Sequence, residues 1–134
     1  MDIIGLHHVA LATRDLPRAV AFYTQCFGLK AKLRPPFKAK GVWLEAHSAQ
    51  VHIIDNPGGS FRPNPRIDIS DVHFALNVRD FEGAMAVLGQ HGYREELPDD
   101  DPLQLLVLRN GLAGFHQAYL LDPDWHVVEI NAAP

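Results

Sequence analysis

Two histidines 65 positions apart open the same short phrase. His8 begins His8-Val9-Ala10-Leu11 and leads to Asp15-Leu16-Pro17-Arg18-Ala19-Val20. His73 begins His73-Phe74-Ala75-Leu76 and leads to Asp80-Phe81-Glu82-Gly83-Ala84-Met85. Asp15 and Asp80 keep the same spacing, so one strand–helix unit is used twice, and a repeat of this kind governs the whole fold. Near the end of each copy stand His52 and Glu129. Neutral imidazoles with a carboxylate form a donor set suited to a borderline divalent ion: zinc, nickel, manganese or ferrous iron.

The elements that must position these groups follow from periodicity. Ile3 to Thr13 reads as a strand. Asp15 is a helix N-cap, and Pro17 is tolerated in the first turn. Leu16, Ala19, Val20, Tyr23 and Phe27 recur at helical spacing, and Gly28 closes the helix. Strands follow at Leu29 to Leu33, Gly41 to Ala46 and Gln50 to Asp55, with His47-Ser48-Ala49 as a turn. Asn56 to Ser70, rich in Pro and Gly, is a linker. The second copy has a strand from Val72 to Val78 and a helix from Asp80 to about His91, with Phe81, Ala84, Val87 and Leu88 on its apolar face. Strand candidates follow at Tyr93 to Glu96, Leu103 to Arg109, Phe115 to Leu121 and His126 to Asn131. The chain is therefore expected to be one α+β domain of two βαβββ modules, residues 1–55 and 71–134, joined by 56–70.

Side chains alternate across a strand. Val9 and Leu11, Phe74 and Leu76, Val51 and Ile53, Val128 and Ile130 fall on one set of faces, a floor for the helices. His8, His73, His52 and Glu129 fall on the other with Ala10, Ala12 and Ala75, which reads as a cavity lining. A lone strand histidine is ordinarily a surface group. Four groups at matching places of two repeats, all of one parity, point to a metal site.

Composition bounds the alternatives. An apolar content of 47% with 21% charged residues is that of a globular protein. The net charge of -4 argues against nucleic acid as partner. The single Cys26 excludes an internal disulfide. Neither a signal peptide nor an apolar run long enough to span a bilayer is visible, so a cytoplasmic protein without membrane partners is expected.

The paired βαβββ units, the His-Val-Ala-Leu and His-Phe-Ala-Leu openings, and the closing Asp122-Pro123-Asp124-Trp125-His126-Val127-Val128-Glu129 resemble the vicinal oxygen chelate superfamily. That group includes glyoxalase I, extradiol dioxygenases, methylmalonyl-CoA epimerase and fosfomycin- and bleomycin-resistance proteins. The resemblance covers nearly the whole chain. It implies a curved, cup-shaped mixed sheet of about eight strands with helices on its convex side, around one divalent metal. It places the metal ligands at His8, His73 and Glu129, with His52 at a fourth position where bacterial glyoxalase I has Glu. It also implies a homodimer acting on a small-molecule substrate. Trp125 stands where the family usually has Gly, so that turn either avoids positive φ or carries strain.

Three functions are weighed. The first is a glyoxalase-I-like lyase or isomerase that chelates two substrate oxygens on the metal and stabilises an enolate-like intermediate, with Glu129 as ligand and proton shuttle. The second is ferrous extradiol ring cleavage, in which Tyr119, ten residues before Glu129, matches the acid–base tyrosine of that group. The third is metal-free sequestration of a small molecule, for which three in-register histidines and a glutamate have no use. Fosfomycin modification finds no phosphonate-binding cluster. Among other candidates, at least one of Tyr119 and His116 is expected to face the cavity, while His7 and His126 are off the ligand parity. Arg62 and Arg66 could meet an anionic substrate, although linker arginines are usually only solvated. Phe37 and Trp43 are cup-lining or core residues. Asp99-Asp100-Asp101 reads as a solvated loop.

Overall fold

The computed structural model describes residues 1–133. It divides into two compact units, Met1–Ser60 and the residues from Phe61 onward. The first unit runs β1 (His8–Thr13), α1 (Leu16–Gln25), β2 (Lys30–Lys32), β3 (Gly41–Ala46) and β4 (Ala49–Asp55). The second runs β5 (His73–Val78), α2 (Phe81–Gln90), β6 (Leu106–Leu108), β7 (Gln117–Leu121) and β8 (Val127–Ala132). Each sheet has four strands in the same order, β1-β4-β3-β2 and β5-β8-β7-β6. In both, the first strand lies parallel to the last and the other pairings are antiparallel. The architecture is the expected α+β repeat of βαβββ.

The helices start as their caps dictate. Oδ1 of Asp15 accepts from the Arg18 N–H at 3.0 Å, and Oδ1 of Asp80 accepts from the Gly83 N–H at 2.9 Å. Both caps are extended, so each carboxylate takes an N–H that has no partner within its helix. At the far ends Gly28 and Gly92 adopt φ of 66° and 94°, which an L side chain resists. Helix α1 packs on β4 and α2 on β8. Ala19 and Tyr23 of α1 are fully covered, above Leu44, Val51 and Ile53 of the first sheet's buried set. In the second unit Phe81, Met85 and Leu88 form the buried stripe, with Ala118, Leu120, Val128 and Ile130 as its sheet partners in burial.

Several expectations are corrected. The first strand begins at His8, not Ile3, because β4 begins at Ala49 and offers no backbone beyond the bond from the Gln50 N–H to the His7 carbonyl. Ile3, Ile4 and Leu6 are exposed. Tyr93 to Glu96 is not a strand; only a single bridge links Arg94 with Gln104. In α2, Val87 faces out and Met85 faces in, since the stripe follows positions 81, 85 and 88. The two sheets also show where the second unit is longer. Lys32 and Leu106 each pair with an aromatic residue, Trp43 and Tyr119, and lie 74 positions apart against 65 for His8 and His73. Most of the extra chain therefore falls between α2 and β6.

Candidate functional site

Strand register decides which side chains share a face, because residues directly opposite on neighbouring strands point the same way. Across the first sheet one row reads Ala10, His52, Trp43, Lys32, and the adjacent row holds His8 opposite Gln50. Across the second sheet the corresponding row reads Ala75, Glu129, Tyr119, Leu106, with His73 opposite Val127. His52 and Glu129 are thus structural equivalents, as are Trp43 and Tyr119.

In the first unit the rings of His8 and His52 stack at 4.0 Å between centroids, 13° from parallel. Trp43 stacks on the other side of His52 at 4.4 Å. Nε2 of His52 is 2.9 Å from Oε1 of Gln50, so Nε2 carries the proton and Nδ1 keeps the lone pair. Burial holds His52 below the ordinary imidazole value, and the neighbouring His8, His7, Arg34 and Lys32 push the same way. A neutral ring is the form that binds metal. His7 joins the group: its Nδ1 lies 2.8 Å from Nδ1 of His8, and its ring meets His52 edge-on at 6.4 Å. Strand parity placed His7 elsewhere because alternation stops at the strand's first residue, His8.

In the second unit Nε2 of His73 is 3.0 Å from Oε2 of Glu129. Nδ1 of His73 lies 2.8 Å from the Asp71 carbonyl, which only accepts, so Nδ1 carries the hydrogen. In the neutral ring a nitrogen lone pair then faces a carboxylate oxygen, an arrangement that requires a cation, a proton or a metal ion. Asp71 is held in turn by Arg62, whose Nη1 lies 2.6 Å from its carboxylate. Tyr119, only 5% exposed, is on the Glu129 face, with its ring 5.8 Å from that of His73. Burial first, then the hydrogen bond to Glu129, push its hydroxyl up to about 12, so it stays protonated at neutral pH. Gln117, which sequence reasoning passed over, donates from Nε2 to Oε1 of Glu129 at 2.6 Å and to the Tyr119 hydroxyl at 3.0 Å. The signal was present, since Gln117 shares the parity of Tyr119.

The remaining candidates lie apart from this chemistry. His116 packs its ring 5.4 Å from Phe81 of α2 and accepts from the Asn110 N–H, so Tyr119 is the one on the ligand face. His126 lies beside Phe61 at 5.9 Å. Arg66 reaches Asp99 at 3.4 Å between exposed side chains. Phe37 sits 5.9 Å from Trp43, extending the aromatic stack. Trp125 has φ of 69°, so the Asp122–Trp125 turn carries the strain rather than avoiding it. A cleft of about 580 Å³ lined by Met85, Tyr93, Arg94 and Leu105 holds none of the candidate residues. Among the described residues no group of three or more His, Cys, Asp or Glu side chains is gathered as a metal cluster; the four candidates form two pairs, one in each unit.

This arrangement of repeated βαβββ units is that of a known family. Residues 5–130 match the Glyoxalase/Bleomycin resistance protein/Dioxygenase superfamily, and the chain belongs to it. Among solved structures, the lactoylglutathione lyase of Agrobacterium tumefaciens is similar over 99% of this chain and 96% of its own, with a TM-score of 0.70 and 20% identity. A genomically encoded fosfomycin resistance protein of Listeria monocytogenes matches over 99% and 96%, with a TM-score of 0.73 and 16% identity. A bleomycin-binding protein solved with bleomycin matches over the whole of both chains, with a TM-score of 0.68 and 18% identity. At such identities the likeness establishes the fold. No curated protein matches the sequence. Among the described residues no helix is long and apolar enough to cross a membrane.

Proposed function

We propose that the protein is a divalent-metal-dependent enzyme with His73 and Glu129 as metal ligands, and that its reaction is a glyoxalase-like lyase or isomerase step on a small molecule. The observation that carries this reading is the state of His73. Its Nδ1–H is committed to a backbone carbonyl and its Nε2 faces a carboxylate, the outer-sphere arrangement that metal-ligating histidines use. The first unit's His8 and His52 are the other two proposed ligands; His52 is held neutral, which suits it to the role. Imidazole and carboxylate donors fit zinc, nickel, manganese or ferrous iron. When bound, the ion supplies Lewis-acid polarisation of substrate oxygens. Glu129 then accepts and returns a proton at a carboxylate oxygen, and the protonated Tyr119 hydroxyl beside it is a second proton donor. The family likeness supports a homodimer as the active species.

A second reading, ferrous ring cleavage of a catechol, is favoured by one observation: Tyr119 lies opposite Glu129 and beside His73, where an acid–base tyrosine would be needed. The test is metal analysis of protein purified without added metal or chelator, followed by lactoylglutathione lyase and catechol-cleavage assays before and after chelation. Metal-dependent lyase activity is the expected result. Bound iron with catechol cleavage would select the second reading, and a protein that takes up no divalent ion would overturn both. Sedimentation should give twice the 14.9 kDa chain mass.

A further inference from the structure

We infer that Gln117 is the positioning residue of Glu129, fixing one carboxylate oxygen so that the other is presented at His73. The inference rests on the metal reading above and adds a residue to it. The geometry begins with register. On β7 and β8, Tyr119 is directly opposite Glu129 and Gln117 is directly opposite Asn131, so all four share one face and Gln117 reaches Glu129 on the diagonal. Its Nε2 contacts Oε1 of Glu129 at 2.6 Å and the Tyr119 hydroxyl oxygen at 3.0 Å. A carboxamide nitrogen has two hydrogens, and these contacts use both. A carboxylate only accepts, so the amide must turn its nitrogen toward Glu129, which settles the orientation of the side chain.

The Tyr119 hydroxyl accepts from the same Gln117 nitrogen, so one amide links the tyrosine to the carboxylate directly opposite it on β8. Oε2 is left facing Nε2 of His73. Two physical consequences follow. Glu129 is only 6% exposed, and a buried carboxylate is costly unless donors satisfy it. Gln117 supplies the shortest of them, a charge-assisted bond. A glutamate side chain also has three free torsions. With Oε1 tethered, the carboxylate meets an ion through Oε2 alone, and the search over its rotamers is over before the ion arrives. Gln117 thus acts on metal binding through Glu129.

The experiment uses Co²⁺ as the probe, with the full-length protein, its Gln117→Met variant and calorimetric and visible-absorption titrations. Methionine keeps the length and volume of the side chain and removes both donors. The expected result is a Co²⁺ affinity lower by ~10–100-fold, the range for loss of an outer-sphere partner, together with a changed absorption spectrum of the bound ion. Unchanged affinity and an unchanged spectrum would overturn the role of Gln117 while leaving the metal reading intact. A parent protein that binds no Co²⁺ would overturn the metal reading and this inference with it. If the methionine variant does not fold, Gln117→Asn carries the same forecast, because it keeps the amide but withdraws it by one methylene.

Discussion

Nε2 of His73 stands 3.0 Å from Oε2 of Glu129, while Nδ1 of the same ring is 2.8 Å from the Asp71 carbonyl. The pair is the proposed metal seat, and its two members should fail differently when changed. His73→Ala removes a direct ligand and should weaken divalent-metal binding by more than the ~100-fold upper range of outer-sphere losses. Glu129→Gln keeps the shape and one acceptor oxygen, so it should lower kcat/KM by a larger factor than it raises the metal Kd if Glu129 also moves a proton. Calorimetry and steady-state kinetics on the two variants check this. A His73→Ala protein with the parent's affinity would end the metal assignment.

Metal should also stabilise the fold. An ion that binds only the native state at 100 times its Kd adds about 2.7 kcal/mol, so Tm should rise on titration with the metal and fall back with a chelator. The rise should be absent in His73→Ala. A shift of equal size in parent and variant would place the binding elsewhere.

Cys26 predicts a pH dependence at the alkaline end. Burial pushes its thiol up from 9.0 to about 11, so the unfolded chain ionises first. Between these values the native state holds the proton that the unfolded state has released, and stability therefore falls as pH rises through this window. Below about pH 9 the full stability is present. The loss is at most about 3 kcal/mol at ~1.4 kcal/mol per pKa unit. Denaturant titrations from pH 8 to 11 should show the decline in the parent and a flatter profile in Cys26→Ala. Equal slopes would mean that the thiol is not the responsible group.

Trp125 separates backbone strain from packing. It holds φ of 69° and packs against the cluster of Tyr119, Leu121 and Val127. Trp125→Ala loses the packing and keeps the strained backbone, whereas Trp125→Gly loses the packing and is free of the strain. Glycine should therefore be the more stable of the two by about 1 kcal/mol. Thermal or urea unfolding decides; an alanine variant as stable as the glycine one would show that this φ carries no cost.

The two capping aspartates offer a test of the repeat. Oδ1 of each accepts from the N–H three residues on. Asp15→Ala and Asp80→Ala should each cost ~1 kcal/mol, with Asn substitutions milder. A cap whose loss costs nothing in urea titrations would mark that helix as held by its packing alone.

Much of this was legible from residue order because it rests on short-range rules. The caps at Asp15 and Asp80, the closing Gly28 and Gly92, and the alternation that puts His8, His52, His73 and Glu129 on one set of faces all depend on neighbours within a few positions. Repetition strengthened each signal. What residue order left open depends on pairing between distant strands. Register alone sets Tyr119 opposite Glu129, brings Gln117 onto its carboxylate and turns His116 toward Phe81. The same is true of His7, which joins His8 and His52 because the ladder ends beside it. In α2 the packing on β8 buried Met85 in place of Val87. Local chemistry named the candidate residues; only the paired strands decided which side chains stand beside them.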